Sequence, residues 1–157
     1  MNDSSTNSYL NALNLNYATI EFDSQGIIKD ANENFLSAMG YTLSEIKGKH
    51  HKIFCDPILV ASKEYTSFWK DLASGKSFTG EFPRLNKNEE IVWIQATYNA
   101  IKDDDGKITK IIKIAQVITG RKLQVADYEA KLDAIDNLWE LLNLIWMQQL
   151  LRPTRIS

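Results

Sequence analysis

Between residues 18 and 119 the chain alternates short strand-like and helix-like runs in an order that admits few folds. Ile20 and Phe22 alternate with Thr19 and Glu21, the period of a half-buried strand. Asp23 to Gly26 supplies a turn to a second strand, with Gly26 free to take positive φ. Asn32 or Asn34 caps the next run, which buries Phe35, Leu36 and Met39 and stops at Gly40. Thr42 and Glu45 have capping-box spacing for a further helical turn. An irregular HHKIFCDP segment leads to the aromatic helix SKEYTSFWKDLASG, and three strands follow: SFTGEFPRLNK, EEIVWIQATYNAIK and KITKIIKIAQVIT. Asp103 to Gly106 is hairpin-turn chemistry; Asp103, Asp104 and Asp105 lack the alternate spacing and distal Glu of a calcium loop. This order wraps small helices over one face of an antiparallel sheet and leaves a pocket between the layers. The expected class is therefore α+β, with a five-stranded antiparallel sheet, small helices on one face, and flanking N- and C-terminal helices. Phe35, Phe54, Phe68, Trp69, Phe82 and Tyr98 have no other common face to fill, so they are expected in or beside the core.

Three regions follow. Residues 1–17 form a helical cap, with Asn7 or Ser8 opening a short helix whose apolar side is Tyr9, Leu10 and Leu13. Residues 18–119 form the domain. Residues 120–157 form a long helix in which Tyr128, Leu132, Ile135, Trp139, Leu142 and Trp146 recur at helical spacing. A net charge of −2 over 157 residues gives no general attraction to nucleic acid or anionic lipid. The opening residues lack the pattern of a secretion signal, and LWELLNLIWMQQLL is too short and too polar to span a bilayer. With Cys55 as the single cysteine, no intrachain disulfide forms. The chain reads as cytoplasmic. Nothing in it has the spacing of a nucleophile elbow, a phosphate-cradling loop or a catalytic triad, so no enzyme is expected.

The motifs ANENFLSAMGY, GKHHKIFC, EYTSFWKDLASG, GEFPRLNK and VWIQATYNAI, in that order and ending in KIAQVITGRK, closely resemble the PAS sensor family. The narrower similarity is to the first PAS module of soluble tandem-PAS bacterial chemoreceptors, the methyl-accepting chemotaxis proteins. That resemblance implies a sensory module passing ligand or redox state to downstream helices, with a second PAS domain and a kinase-control coiled coil in the intact receptor. It also implies a signal exit at Val117, Thr119 and Arg121. The family usually carries an Asp where this chain has Val117, so coupling through that acid is missing here or made differently, and Arg121 lacks that acid. A ligand-free PAS dimerisation module is the alternative.

The resemblance leaves the cofactor unknown. Photoadduct FMN chemistry is disfavoured: it requires a Cys at the fourth place of G-x-N-C, where GKHH puts His51, and Cys55 comes four residues late. Haem needs an axial His facing the pocket, and the aromatic helix has none. His50 and His51 precede that helix, and the plainer expectation for each is a surface or capping role. FAD is one candidate occupant, beside an aromatic-lined empty core or a small apolar ligand, because Trp93, Ile94, Gln95 and Ala96 resemble the W-[IV]-x-A of energy-sensing PAS domains. In that picture Trp93 walls the isoalloxazine and Arg84 bonds its polar edge. Period two puts Trp93 and Ile94 on opposite faces, which leaves open whether Trp93 faces the pocket or a dimer interface. The expected pocket set is Phe35, His51, Phe54, Phe68, Trp69, Phe82, Arg84, Trp93, Ala96 and Tyr98.

Residues from 137 onward depart from the family. Restoring one base after the Asp136 codon lets the following frame encode a strand and turn parallel to the chain's own ATIEFDSQGIIKDAN, so a frameshifted, truncated product is one expectation. A genuine amphipathic helix or a linker-derived tail is the other. In either case the stripe is too apolar to face water along its length. A homodimer is expected through Leu10, Leu13, Leu132, Ile135, Trp139, Leu142 and Trp146.

Overall fold

The structure is a computed structural model that describes residues 3–150; expectations for residues 151–157 lie outside the described residues. Helix α1 covers Asp3–Asn16, and strands β1 (Ala18–Phe22) and β2 (Ile28–Ala31) form the first hairpin. Short helices α2 (Glu33–Met39) and α3 (Leu43–Ile46), a 3-10 turn (His51–Phe54), α4 (Pro57–Val60) and α5 (Lys63–Ala73) make the helical layer. Strands β3 (Phe78–Leu85), β4 (Ile91–Lys102) and β5 (Ile108–Val117) precede the long helix α6 (Thr119–Leu150).

The five strands form one antiparallel sheet in the order β2-β1-β5-β4-β3. β5 returns to pair between β1 and β4, so the first and last strands of the domain share its centre. Pro83 sits in β3, an edge strand, where its missing N–H costs no ladder bond on the open side. The punctuation works as local chemistry requires. Asp23 Oδ1 accepts from the N–H groups of Gln25 and Ile27. Asp103 Oδ1 does the same for Asp105 and Lys107, which makes the acidic run a turn device. Asn32, rather than Asn34, caps α2 by accepting from Phe35 N, and Gly40 ends it in the left-handed region. Glu45 accepts from the Thr42 N–H, the returning half of a capping box. One boundary differs from expectation: α1 begins at Asp3, ahead of Asn7 and Ser8, so neither is its cap.

Residues up to Thr119 form one compact unit and those from Gly120 a second. In the first, the core lies between the sheet and the short helices. Phe35, Phe54, Trp69 and Tyr98 are buried, with Phe68 and Phe82 partly buried against them. In the second, α6 carries exposed apolar side chains beyond the expected stripe. Leu138, Leu141, Leu144, Ile145 and Met147 join Leu132, Ile135, Trp139, Leu142 and Trp146. From residue 137 its apolar side chains are spread round the helix rather than confined to one stripe. Leu10 and Leu13 of α1 are also exposed.

Candidate functional site

Alternation along the three consecutive strands decides which side chains enter the core. Phe82 and Arg84 of β3, Val92, Ile94, Ala96 and Tyr98 of β4, and Ile111, Lys113 and Ala115 of β5 share the inner face. Trp93 therefore stands on the outer face, opposite Ile94, and does not wall the interior. That corrects its expected place in the pocket, and a flavin walled by Trp93 does not fit this arrangement.

His51 corrects the plainer expectation in the other direction. It is fully buried. Its Nδ1 lies 2.9 Å from the Tyr65 hydroxyl and its Nε2 3.2 Å from the Tyr98 hydroxyl. His50 takes the capping role instead, its Nδ1 accepting from Lys52 N at 3.0 Å. The geometry follows from the tight turn, because adjacent residues of the 3-10 segment point in different directions. Burial, with Arg84 and Lys113 nearby, holds the His51 pKa well below the ordinary imidazole value. Haem ligation by His51 would have to break one of its two hydrogen bonds, so the residues do not fit that group as arranged. Cys55 Sγ lies 3.6 Å from His51 Nδ1, and burial pushes the thiol pKa up, the opposite of a reactive thiolate.

Two basic side chains lie among these rings. Arg84 is 4% exposed. Its Nη1 donates to the Pro83 carbonyl at 2.8 Å and its Nη2 to the Tyr98 hydroxyl at 3.3 Å. The buried Arg84 Nε has no hydrogen-bond partner. Lys113 is 1% exposed, with Nζ 5.2 Å from the Tyr98 ring centroid and 5.6 Å from that of Phe35. Burial drives its pKa well below the ordinary lysine value. Among the described residues neither of the two has a carboxylate within ion-pair distance. Lys113 was not singled out from the sequence, although the period of KIIKIAQ places it on one face with Ile111 and Ala115.

A cleft of about 470 Å³ opens between α4, α5 and the edge strand β3. Leu59, Tyr65, Phe68, Phe82, Pro83, Leu85 and Ile91 give it apolar walls, Arg84 also lines it, and Asp56 and Glu64 complete the lining. Of the expected pocket set, Phe68, Phe82 and Arg84 line this cleft. Phe35, His51, Phe54, Trp69, Ala96 and Tyr98 lie in the packed core beside it.

At the exit, the Trp93 backbone is held from both sides: its N–H donates to Thr119 Oγ1 at 2.9 Å, and its carbonyl accepts from Ile118 N at 2.8 Å. Val117 is half exposed and stands opposite Ile94 in the ladder. Arg121, though it lacks the family acid, has interactions of its own.

This layout of hairpin, helical layer and three-stranded return defines a sensor-type α+β module. The family model described as the PAS fold matches residues 28–115, and the chain belongs to the PAS family. PAS domains are non-catalytic sensor modules for signal transduction, and among the described residues no cluster of three metal-ligating side chains occurs.

The chain is similar to the biofilm dispersion protein BdlA of Pseudomonas aeruginosa, 40% identical over 124 residues, covering 79% of this chain and 30% of that protein. It is also similar to the aerotaxis receptor of Escherichia coli, 27% identical over 106 residues, covering 67% of this chain and 20% of the receptor. The chain thus spans under a third of either relative's length. Among solved structures, a PAS domain from Colwellia psychrerythraea superposes with a TM-score of 0.63 at 23% identity, covering 73% of this chain and 98% of that one. A light-oxygen-voltage domain described with a flavin analogue gives 0.61 at 20% identity, covering 79% and 96%. These two share the fold. Among the described residues no helix is long and apolar enough to cross a membrane.

Proposed function

We propose that this PAS domain is the sensory input of a chemotaxis- or energy-sensing receptor, reading the occupant of the cleft beside β3 and passing the result to α6. One observation carries the reading: the strand that contributes Ile94, Ala96 and Tyr98 to the core also holds Ile118, just before α6, and Thr119, its first residue, through two hydrogen bonds at Trp93. A rearrangement around Tyr98 therefore has a short covalent and hydrogen-bonded route to the exit helix. Val117 sits at that exit without the family's acid, so the Trp93 backbone takes over the coupling. The relationship to an aerotaxis receptor and a biofilm dispersion protein supports a receptor context, in which a second PAS domain and a kinase-control coiled coil lie downstream. FAD is the alternative occupant, entering through Arg84 rather than Trp93. A visible spectrum of protein purified without added cofactor tests it.

The test of the sensory reading is a chimaera. Residues 18–119 replace the aligned segment of the P. aeruginosa relative, and biofilm dispersion is scored. Restored dispersion that is lost with Thr119→Val supports the reading. A folded chimaera that disperses equally with and without the Thr119 hydroxyl counts against it.

The exposed apolar side chains of α6 favour a second, compatible reading, in which a second copy of the chain covers that helix. A domain whose main role is such pairing would leave the cleft unused, and dispersion by the chimaera would then be indifferent to residues lining the cleft.

A further inference from the structure

Among the described residues the inner layer of this domain holds a buried guanidinium, that of Arg84, with no buried acid to offset it. His51, Arg84 and Lys113 are its buried polar residues. Arg84 also reaches the cleft wall, and its Nε–H is buried without an acceptor. A buried donor left unpaired has given up its hydration for nothing, and a charged one has given up more. Such a group is retained at little net cost when a ligand supplies the acceptor. The guanidinium has five N–H donors, and the Pro83 carbonyl and Tyr98 hydroxyl engage one each. The remaining donors suit a carboxylate, which accepts charge-assisted bonds roughly twice as strong as neutral ones.

The rest of the cleft selects the body of the ligand. Tyr65, Phe68 and Phe82 present rings, and Leu59 and Ile91 complete apolar walls around a volume in the range of small-molecule sites. Flat apolar molecules gain from ring-on-ring contact beyond the area they bury. Asp56 and Glu64 are exposed, where water and salt weaken their repulsion of an incoming anion.

We infer that the cleft between α5 and β3 binds an aromatic carboxylate, its ring among Phe68, Phe82 and Tyr65 and its carboxylate on the Arg84 guanidinium. The inference deepens the sensory reading above and rests on it for biological meaning, but the binding stands or falls by itself. Because the Tyr98 hydroxyl joins Arg84 to His51, a bound anion would draw on the same hydrogen-bonded set that packs against β4.

Calorimetric titration of the full chain with 2-naphthoate and with its neutral analogue 2-naphthalenemethanol tests this. The expected result is roughly tenfold tighter binding of the carboxylate, the size of one charge-assisted hydrogen bond. Arg84→Met should abolish the preference. Because Arg84 is buried, that variant could fail to fold, so Leu59→Trp, which narrows the cleft from a partly exposed position, is the second. It should weaken both ligands while the chain still melts cooperatively. Equal affinities in the unmodified protein, no binding of either compound, or purification with a tightly held flavin would each overturn the assignment. None of these results decides the chimaera experiment, so the ligand can fail while the sensory role stands.

Discussion

Lys113 Nζ lies 5.2 Å from the centre of the Tyr98 ring, one strand over on the same inner face. No described carboxylate answers it, and burial depresses its pKa. Lysine here is tolerated by the domain rather than favoured by it. Replacing Lys113 with Met keeps the stem and removes the amine, and should raise unfolding free energy by about 1–3 kcal/mol. The unfolded chain holds that proton up to pH ~10.4 while the folded one releases it earlier. Lys113 therefore makes wild-type stability rise with pH below ~10.4, a rise that the raised pKa values of Cys55, Tyr65 and Tyr98 oppose toward its alkaline end, and Lys113→Met should remove that contribution. Denaturant melts at neutral and alkaline pH measure both. A less stable variant with an unchanged slope would show that the amine has a partner that stabilises it.

His51 gives a second pH dependence, on the acid side. Its folded pKa is depressed, so below pH ~6.5 the unfolded state binds a proton that the folded state does not. Below about pH 6.5 His51 should add a fall in stability approaching about 1.4 kcal/mol per pH unit, over and above the slope that Lys113 sets. Glu45, lowered to about 2 chiefly by its hydrogen bond from Lys87, loses its favourable contribution only as pH falls below ~4.5. Between about pH 5 and 6.5 Glu45 is thus silent, and the added slope is that of the histidines. His50, less buried, also has a lowered pKa, so His50→Gln is the control. A slope that vanishes in His50→Gln would shift the effect away from His51.

The strand and turn pattern was legible because alternation and Gly–Asp chemistry are local. Asp23, Asn32 and Gly40 act where their neighbours in sequence require them to act. The faces of Trp93 and His51 were not legible. A period of two states that Trp93 and Ile94 oppose each other, without saying which is inward. That is set by β5 pairing between β1 and β4, a contact between distant segments. His51 was hidden for a related reason: its partners, Tyr65 and Tyr98, come from α5 and β4, and nothing near GKHH announces them. Lys113 was overlooked because a charged residue amid Ile and Ala reads as the solvent side of a strand, whereas here both strand faces carry polar residues.

The exit depends on one hydroxyl. Thr119→Val leaves the volume and removes the acceptor for Trp93 N–H, which should cost about 1 kcal/mol, while Thr119→Ser should restore most of it. Val117 is half exposed, so Val117→Asp should change stability by less than about 0.5 kcal/mol. Its effect, if the family acid matters to coupling, should be seen in dispersion by the chimaera and not in melting. Equal melting of Thr119→Val and wild type would remove the hydroxyl from the latch.

Gly26 is under a tighter constraint than the turn alone imposes. Its φ is +81°, and an added Cβ would come within 2.8 Å of His50 Nε2 and 3.0 Å of Trp69. Gly26→Ala therefore combines left-handed strain with a clash against two core-side rings and should destabilise by roughly 1–3 kcal/mol. Gly106 also has positive φ but an open surrounding, so Gly106→Ala should cost less. Equal costs at the two positions would show that backbone strain, and not the His50–Trp69 contact, sets the penalty.

The last expectation concerns α6. Trp139 and Trp146 are 62% and 67% exposed, with Leu138, Leu141, Leu142 and Ile145 around them. So much uncovered apolar surface on one helix is a docking surface or an aggregation liability. Identical chains present the same helix to one another, and a two-fold pairing would cover it self-consistently. Burying two Trp and several Leu per chain contributes on the order of 2 kcal/mol for each large side chain, against association costs of several kcal/mol. That difference suffices for a dimer at micromolar concentration. Light scattering of the full chain should report about twice the chain mass of 17.9 kDa. Deleting the residues after Asp136 removes most of the apolar surface and should return a monomer whose first unit still melts cooperatively. A dimer unchanged by the deletion would place the contact elsewhere, with Leu10 and Leu13 of α1 the next surface to substitute.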